Sequence, residues 1–322
     1  MRRLPHIAYE KHPAYFCDTT ISMSERIETY RNFSRFFLRS LRDYGRVKVS
    51  EVKARARSKQ LPALTETDEQ NLKLLRSDGF TVFGASSNVD QQLAALFNDD
   101  LQTLRASRAA LTPPRRHKDN SRIVKDASKH QAVTELLELL GILPVASAYL
   151  GGKARVVTVA CQINSVEDTS IWKGGFQNTE LAYPPTSYMH IDSAMGVLKL
   201  IYYFQATDDR NGAFRYVRGS HLLSRNPVDL AIRKANDKAG LESRSEKGRR
   251  RFSALPAFFR RKAAFGYDLS ADAPESKELL KNEVILSSAQ GRFILFDVNG
   301  VHRGAMVHEG DRAILQVSMR LF

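Results

Sequence analysis

SYMHIDSAMGVLKLIYYF, residues 187–204, sets a histidine and an aspartate one residue apart at the mouth of a strongly apolar run. GVLKLIYYF is rich in β-branched and aromatic residues and reads as a buried strand. On an extended backbone, positions two apart share a face, so His190 and Asp192 point the same way. An imidazole and a carboxylate on one enclosed face both need partners, and a metal ion satisfies both at once.

Around this stretch the chain is built of short strands. ARVVTVACQIN (154–164), GVLKLIYYFQA (196–206), GAFRYVRG (212–219), EVILSS (283–288), GRFILFDV (291–298) and RAILQVSMRLF (312–322) follow one another, with Gly or Asn-Gly between several of them. Upstream the pattern is helical. TDEQNLKLLRSDGF (67–80) offers Thr67 and Gln70 as a capping box and Gly79 as the stop, and FTVFG (80–84) follows as a strand. Further helices are expected over about 89–105 and 131–140, with LTPPRRHKDNSRIVK (111–125) as a polar loop between them. Helices first and strands afterwards imply an antiparallel sheet system, mainly β with flanking helices. About eight strands close most simply as a jelly roll, a cupin-like arrangement.

Two additions flank this body. Residues 1–60 read as a basic helical N-terminal extension, and residues 61–322 as the main domain, interrupted at about 222–282 by a basic, lid-like insertion. In the extension, SERIETYRNFSRFFLRSLRDYG (24–45) places Ile27, Tyr30, Phe33, Phe37, Leu41 and Tyr44 at helical spacing, with Gly45 as its end and 51–64 as a linker. Such a helix either packs on the main domain or touches an anionic surface through its arginines.

The chain has 322 residues and a formal charge of +14. Residues 1–60 and 222–262 each carry +8, which leaves −2 for the rest. The basicity therefore sits in the two additions, and a body-wide nucleic-acid groove is disfavoured. Cys17 and Cys161 are too few and too distant for a disulfide framework. No apolar leader and no run of ~18 uncharged apolar residues occurs, so the expectation is a soluble cytoplasmic protein.

A second histidine, His302, lies in FDVNGVHRGAMVHEGDRAIL (296–315), just past another apolar strand and turn. Two histidines and one carboxylate make the facial triad of non-haem Fe(II) oxygenases, which leaves coordination positions open. Arg312 stands ten residues beyond His302, where a planar guanidinium can pair with a carboxylate through two parallel hydrogen bonds.

The combination resembles the phytanoyl-CoA dioxygenase-like family of Fe(II)/2-oxoglutarate-dependent oxygenases. The resemblance runs over about 67–322, from EQNLKLLRSDGFTVF (69–83) to the last strand, and is most specific in LKLIYYFQATDDRNGAFRYVRGSH (198–221). It implies a double-stranded β-helix with His190, Asp192 and His302 as iron ligands and Arg312 on the distal carboxylate of 2-oxoglutarate. It also implies O₂ as the second cosubstrate, with succinate and CO₂ released as a substrate C–H bond is oxidised. Asp192 in the ligand set favours hydroxylation over halogenation. Two positions depart from the family: Arg218 stands where proline usually precedes GSH, and Gly304 where serine or threonine often follows the distal histidine.

Other residues carry weaker expectations. Lys199, inside the apolar strand, supports the cosubstrate carboxylate or a substrate anion, or else turns outward. Alternation brings only one of Tyr202 and Tyr203 to the cavity, Tyr203 if it accompanies Lys199. Gln162 and Asn164 are candidates to hydrogen-bond the cosubstrate or simply to satisfy each other's surroundings. Trp172, in the Gly- and Pro-rich stretch 170–185, and Arg215 are candidate substrate residues. Asp297 either orients a ligand histidine or caps the Asn299-Gly300 turn, His221 organises a turn, and His308 is solvated. EKGRRRFSALPAFFRRK (246–262) is a surface loop or a lid that attracts an anionic small-molecule or carrier-bound substrate. A catalytically silent jelly roll that binds partners or membranes through its basic arms is the alternative to an enzyme.

Overall fold

The computed structural model describes residues 21–57, 63–110, 120–166, 191–192, 194–224, 226–239, 251–252, 254–256, 258–259, 281–289, 292–305 and 307–321. Helices dominate the first half: α1 (Met23–Arg57), α2 (Glu66–Asp78), α3 (Ser87–Ala109), α4 (Ala127–Leu139) and α5 (Ile142–Leu150). Strands β1 (Phe80–Phe83) and β2 (Ser121–Ile123) lie among them. Then come β3 (Ala154–Ser165), β4 (Val197–Tyr203), β5 (Phe214–Val217), helix α6 (Pro227–Lys238), β6 (Glu283–Leu286), β7 (Phe293–Asp297), β8 (His302–Gly304) and β9 (Asp311–Leu321).

The strands form a six-stranded sheet, ordered β1-β7-β4-β9-β3-β2, and a three-stranded sheet, ordered β6-β5-β8. All of these pairings are antiparallel. The alternation of β4 shows how the layers stack. Leu198, Leu200 and Tyr202 join the core beneath α2, α3, α4 and α5. Ile201 and Tyr203 face the other way, into a cluster with Phe214 and Tyr216 of β5 and Leu286 of β6. The large sheet is thus covered by helices on one face and by the small sheet on the other.

Several local signals gave way to tertiary packing. Gly45 does not end α1, which runs on to Arg57. Beyond the glycine, Val47 packs on Gly196 and Ala54 on Gly152. A Cβ at Gly152 would lie 2.3 Å from the Ala54 Cβ. The stretch expected as a linker is therefore partly helix. The cap of α2 is Thr65 with Asp68, not Thr67 with Gln70. The Asp68 carboxylate accepts the Thr65 amide at 3.2 Å, and Thr65 Oγ1 accepts the Asp68 amide at 3.2 Å. Gly79 stops the helix as expected, at φ 88.

The two basic additions meet each other. Phe33 of α1 packs with Ile232 and Ala235 of α6 and with Leu255, in a cluster separate from the main core. Tyr30 donates to the Ala254 carbonyl at 2.8 Å. Arg251 pairs with Glu25 and Glu28, and Lys238 with Asp43. Among the described residues no single helix is long and apolar enough to cross a membrane.

Candidate metal and cosubstrate site

His302 reaches its position through β8, whose partner in register is Tyr216 of β5. Its ring stacks on Tyr216, with centroids 6.2 Å apart and planes within 8°, and meets the Phe296 ring at 5.1 Å. Nδ1 lies 2.8 Å from the Gly300 carbonyl. A carbonyl only accepts, so Nδ1 carries a proton, and in the neutral ring Nε2 is the nitrogen with the lone pair. That lone pair faces Asp192 Oδ1 across 3.9 Å.

Asp192 is fixed on three sides. Its amide donates to the Val298 carbonyl at 3.0 Å. Its own carbonyl accepts from Lys234 of α6. Its second carboxylate oxygen, Oδ2, pairs with the Lys199 ammonium at 2.7 Å. Lys199 lies on the Ile201–Tyr203 face of β4, and its ammonium is turned to the carboxylate expected to ligate iron.

The residues present fit a metal ion. A distance of 3.9 Å between nitrogen and oxygen is too long for a hydrogen bond. Two coordinate bonds of about 2.1 Å each can span it. One neutral imidazole nitrogen and one carboxylate oxygen are the donor types of a non-haem iron site. Among the described residues no three His, Cys, Asp or Glu side chains converge. The expected third ligand, His190, lies outside the described residues, as does Trp172.

Arg312 is 5 % exposed and sits at the start of β9, opposite Asn164 of β3 in register. Its Nη2 donates to Asn164 Oδ1 at 3.1 Å, and its Nη1 donates to the carbonyls of Gly212 and, at 3.4 Å, Ala305. Gln162 donates to the same Asn164 oxygen at 3.0 Å. A Cβ on Gly304 would lie 3.0 Å from Arg312 Nη2, so the guanidinium lies close against that glycine. Gly304 is two residues beyond His302 on β8, hence on the same face and about 6–7 Å along it. On that face of β8, Asp192 lies near His302 and Arg312 lies near Gly304.

Other expected residues take structural positions. Tyr203 shares the Lys199 face of β4 but is packed into the cluster between the sheets. Its hydroxyl donates to the Leu286 carbonyl and accepts the Phe214 amide, both at 2.8 Å, and burial pushes its phenol up to about 12. Gln162 and Asn164 are engaged with each other and with Arg312. Arg215 does not reach the site. It alternates with Phe214 and Tyr216, so it lies on the far face of the small sheet, where it pairs with Asp209 and Glu283. Asp297 caps the turn: Oδ1 accepts from the Asn299 amide at 2.8 Å, and Oδ2 accepts from Tyr149 at 2.7 Å. His221 meets the Arg76 carbonyl at 3.1 Å, beside Gly79, and so braces a turn.

Lys234 was not anticipated. It is 0 % exposed and reaches Asp192 from the insertion. A signal was present, because spacings of three and four residues place it on the helix face of Ala231 and Leu230, which are both buried.

No family profile matches the chain, and no curated protein is detectably similar to it. Solved structures do resemble it in overall trace. AviO1 from Streptomyces viridochromogenes Tue57 is 15 % identical over 80 % of this chain and 96 % of its own, with a TM-score of 0.43. EctD from S. alaskensis, solved with 2-oxoglutarate and 5-hydroxyectoine, is 16 % identical over 82 % of this chain and 77 % of its own, with a TM-score of 0.46. SnoK, a non-haem α-ketoglutarate-dependent carbocyclase from nogalamycin biosynthesis, is 12 % identical over 81 % of this chain and 85 % of its own, with a TM-score of 0.43.

Proposed function

We propose that this chain is an Fe(II)- and 2-oxoglutarate-dependent oxygenase of the phytanoyl-CoA dioxygenase-like kind, built on a double-stranded β-helix. The observation that carries the reading is the approach of His302 Nε2 to Asp192 Oδ1, 3.9 Å apart although the two residues are remote in sequence. His190, two positions before Asp192, supplies the third ligand in this proposal. Iron bound there, with 2-oxoglutarate and O₂, supplies the oxidation of an unactivated C–H bond. The chain's own part is to hold and to orient. The Gly300 carbonyl accepts from Nδ1, which fixes the ring orientation and leaves Nε2 as the nitrogen that would meet the ion. Lys199 occupies one carboxylate oxygen of Asp192, which leaves the other for the ion.

Arg312 binds the distal carboxylate of the cosubstrate. Its guanidinium is held before binding by Asn164 and by two loop carbonyls, and it sits in a buried setting where an ion pair is stronger than in water. The aromatic wall of Tyr216, Phe214 and Phe296 keeps water from the back of His302. The substrate is a small or carrier-bound molecule with anionic character, in keeping with the basic insertion.

The test is succinate release from 2-oxoglutarate on addition of Fe(II), together with Mn(II) binding by calorimetry. Wild type binds the metal and turns over, whereas His302→Ala and Asp192→Ala remain folded and do neither. Metal affinity unchanged in both variants would refute the ligand assignment. One observation favours a silent binding module instead: Lys199 already gives Asp192 a cation at 2.7 Å. In that case wild type binds no metal and releases no succinate.

A further inference from the structure

We infer that α1 docks this protein on an anionic lipid bilayer through its outward face, independently of the oxygenase reading. Five apolar side chains of α1 stand in solvent: Met23 at 70 % exposure, Ile27 at 59 %, Leu38 at 65 %, Val49 at 53 % and Val52 at 66 %. At about 100° per residue these five fall within ~80° of one another, a single stripe that runs ~44 Å along the axis. The opposite side is already occupied, since Phe33 packs on α6 and Thr29 and Ser40 are buried. The stripe is therefore a second apolar face on a helix whose first is in use.

Charge identifies the occupant. The helix holds ten Lys and Arg and four Asp and Glu. Every one of those acids is ion-paired: Glu25 and Glu28 to Arg251, Asp43 to Lys238, and Glu51 to Lys48. Meanwhile Arg31, Arg35, Arg39, Arg42, Arg46 and Lys53 are exposed and follow one flank of the stripe. An apolar strip edged by unneutralised cations matches a surface that offers negative headgroups above hydrocarbon.

Other occupants fit less well. A nucleic acid uses the cations and leaves five apolar side chains without a role. A second copy brings a like-charged helix face. Its coiled-coil register through Leu38 and Val52 also meets Arg31 and Gly45 at the equivalent heptad positions.

The experiment sediments full-length protein with phosphatidylcholine vesicles, with and without phosphatidylserine. Wild type is expected to pellet with the anionic vesicles alone and to be released in part by salt. Ile27→Glu/Leu38→Glu and Arg31→Glu/Arg42→Glu each lower the partition at least tenfold, while Leu139→Glu, at an exposed apolar position on α4, binds as wild type. Circular dichroism melting verifies that the variants fold. The inference is overturned if wild type stays in the supernatant with both vesicle types or pellets equally with both. It is also overturned if the Ile27→Glu/Leu38→Glu variant binds as wild type, which would leave charge alone. Light scattering that shows a dimer broken by Leu38→Glu would give the face to a second copy.

Discussion

His302 Nε2 and Asp192 Oδ1 face each other across 3.9 Å, and the second oxygen of the same carboxylate is held by Lys199 at 2.7 Å. Side chains that hold a ligating carboxylate typically change metal affinity by about 10–100-fold when removed. Lys199→Met is therefore expected to weaken Mn(II) binding by about tenfold, with Lys199→Arg restoring part of it. Calorimetry decides the sign. Tighter binding in Lys199→Met would show that the ammonium competes with the metal and would favour the silent module.

Gly304 stands where the family that the sequence resembles often carries serine or threonine, and the position of Arg312 gives a physical reason. A Cβ there would come within 3.0 Å of Nη2 and 3.3 Å of Nη1. The guanidinium is tethered to Asn164, Gly212 and Ala305, so it has little freedom to withdraw. Gly304→Ala should weaken 2-oxoglutarate binding by about tenfold, or about 1.4 kcal/mol, and leave Mn(II) affinity unchanged. Anaerobic titrations of each ligand separate the two effects.

Stability should fall in alkali. Burial pushes both the Cys161 thiol and the Tyr203 phenol up to about 12 in the folded chain. In the unfolded chain they ionise near about 8.5 and about 10. Between those values and the folded ones, the unfolded state has released protons that the folded state keeps. It binds fewer protons, so stability declines as pH rises. Urea midpoints followed from about pH 8 to about pH 11 should drop, and the early part of the drop should flatten in Cys161→Ala. An unchanged slope in that variant would remove the thiol from this account.

Phe33 is 2 % exposed, against Ile232 and Leu255. Truncation of a buried phenylalanine costs about 3–5 kcal/mol. Phe33→Ala should raise amide exchange in α1 and α6 together, with β4 and β9 still protected. Exchange that rises in α1 alone would mean that the two additions are held separately.

The legibility of the chain followed the strength of local pattern. β4 and β9 were readable because strands buried on both faces leave a near-continuous run of apolar, β-branched and aromatic residues. Residue types and flanking strands made Asp192 and His302 candidate partners, and the structure sets their side chains 3.9 Å apart. α5 was not, because ILPVASAYL is apolar all round and shows no stripe. Its proline falls in the first helical turn, where the missing amide has no partner to lose. β2 and β8, with three residues each, are too short to carry a period. The roles of Gln162 and Asn164 depend on which strand lies beside β3, and sequence spacing does not encode that neighbour. The same holds for Lys199, whose partner Asp192 was expected to face only a metal.

The Lys234 bond to the Asp192 carbonyl has a practical consequence for anyone trimming this protein. A boundary just before Thr65, at the cap of α2, looks like a natural place to begin a shorter fragment. It would discard α1 and strip the apolar cover from α6, the helix that carries Lys234. The smallest piece with a properly seated carboxylate therefore begins ahead of α1, more than forty residues upstream of that tempting start.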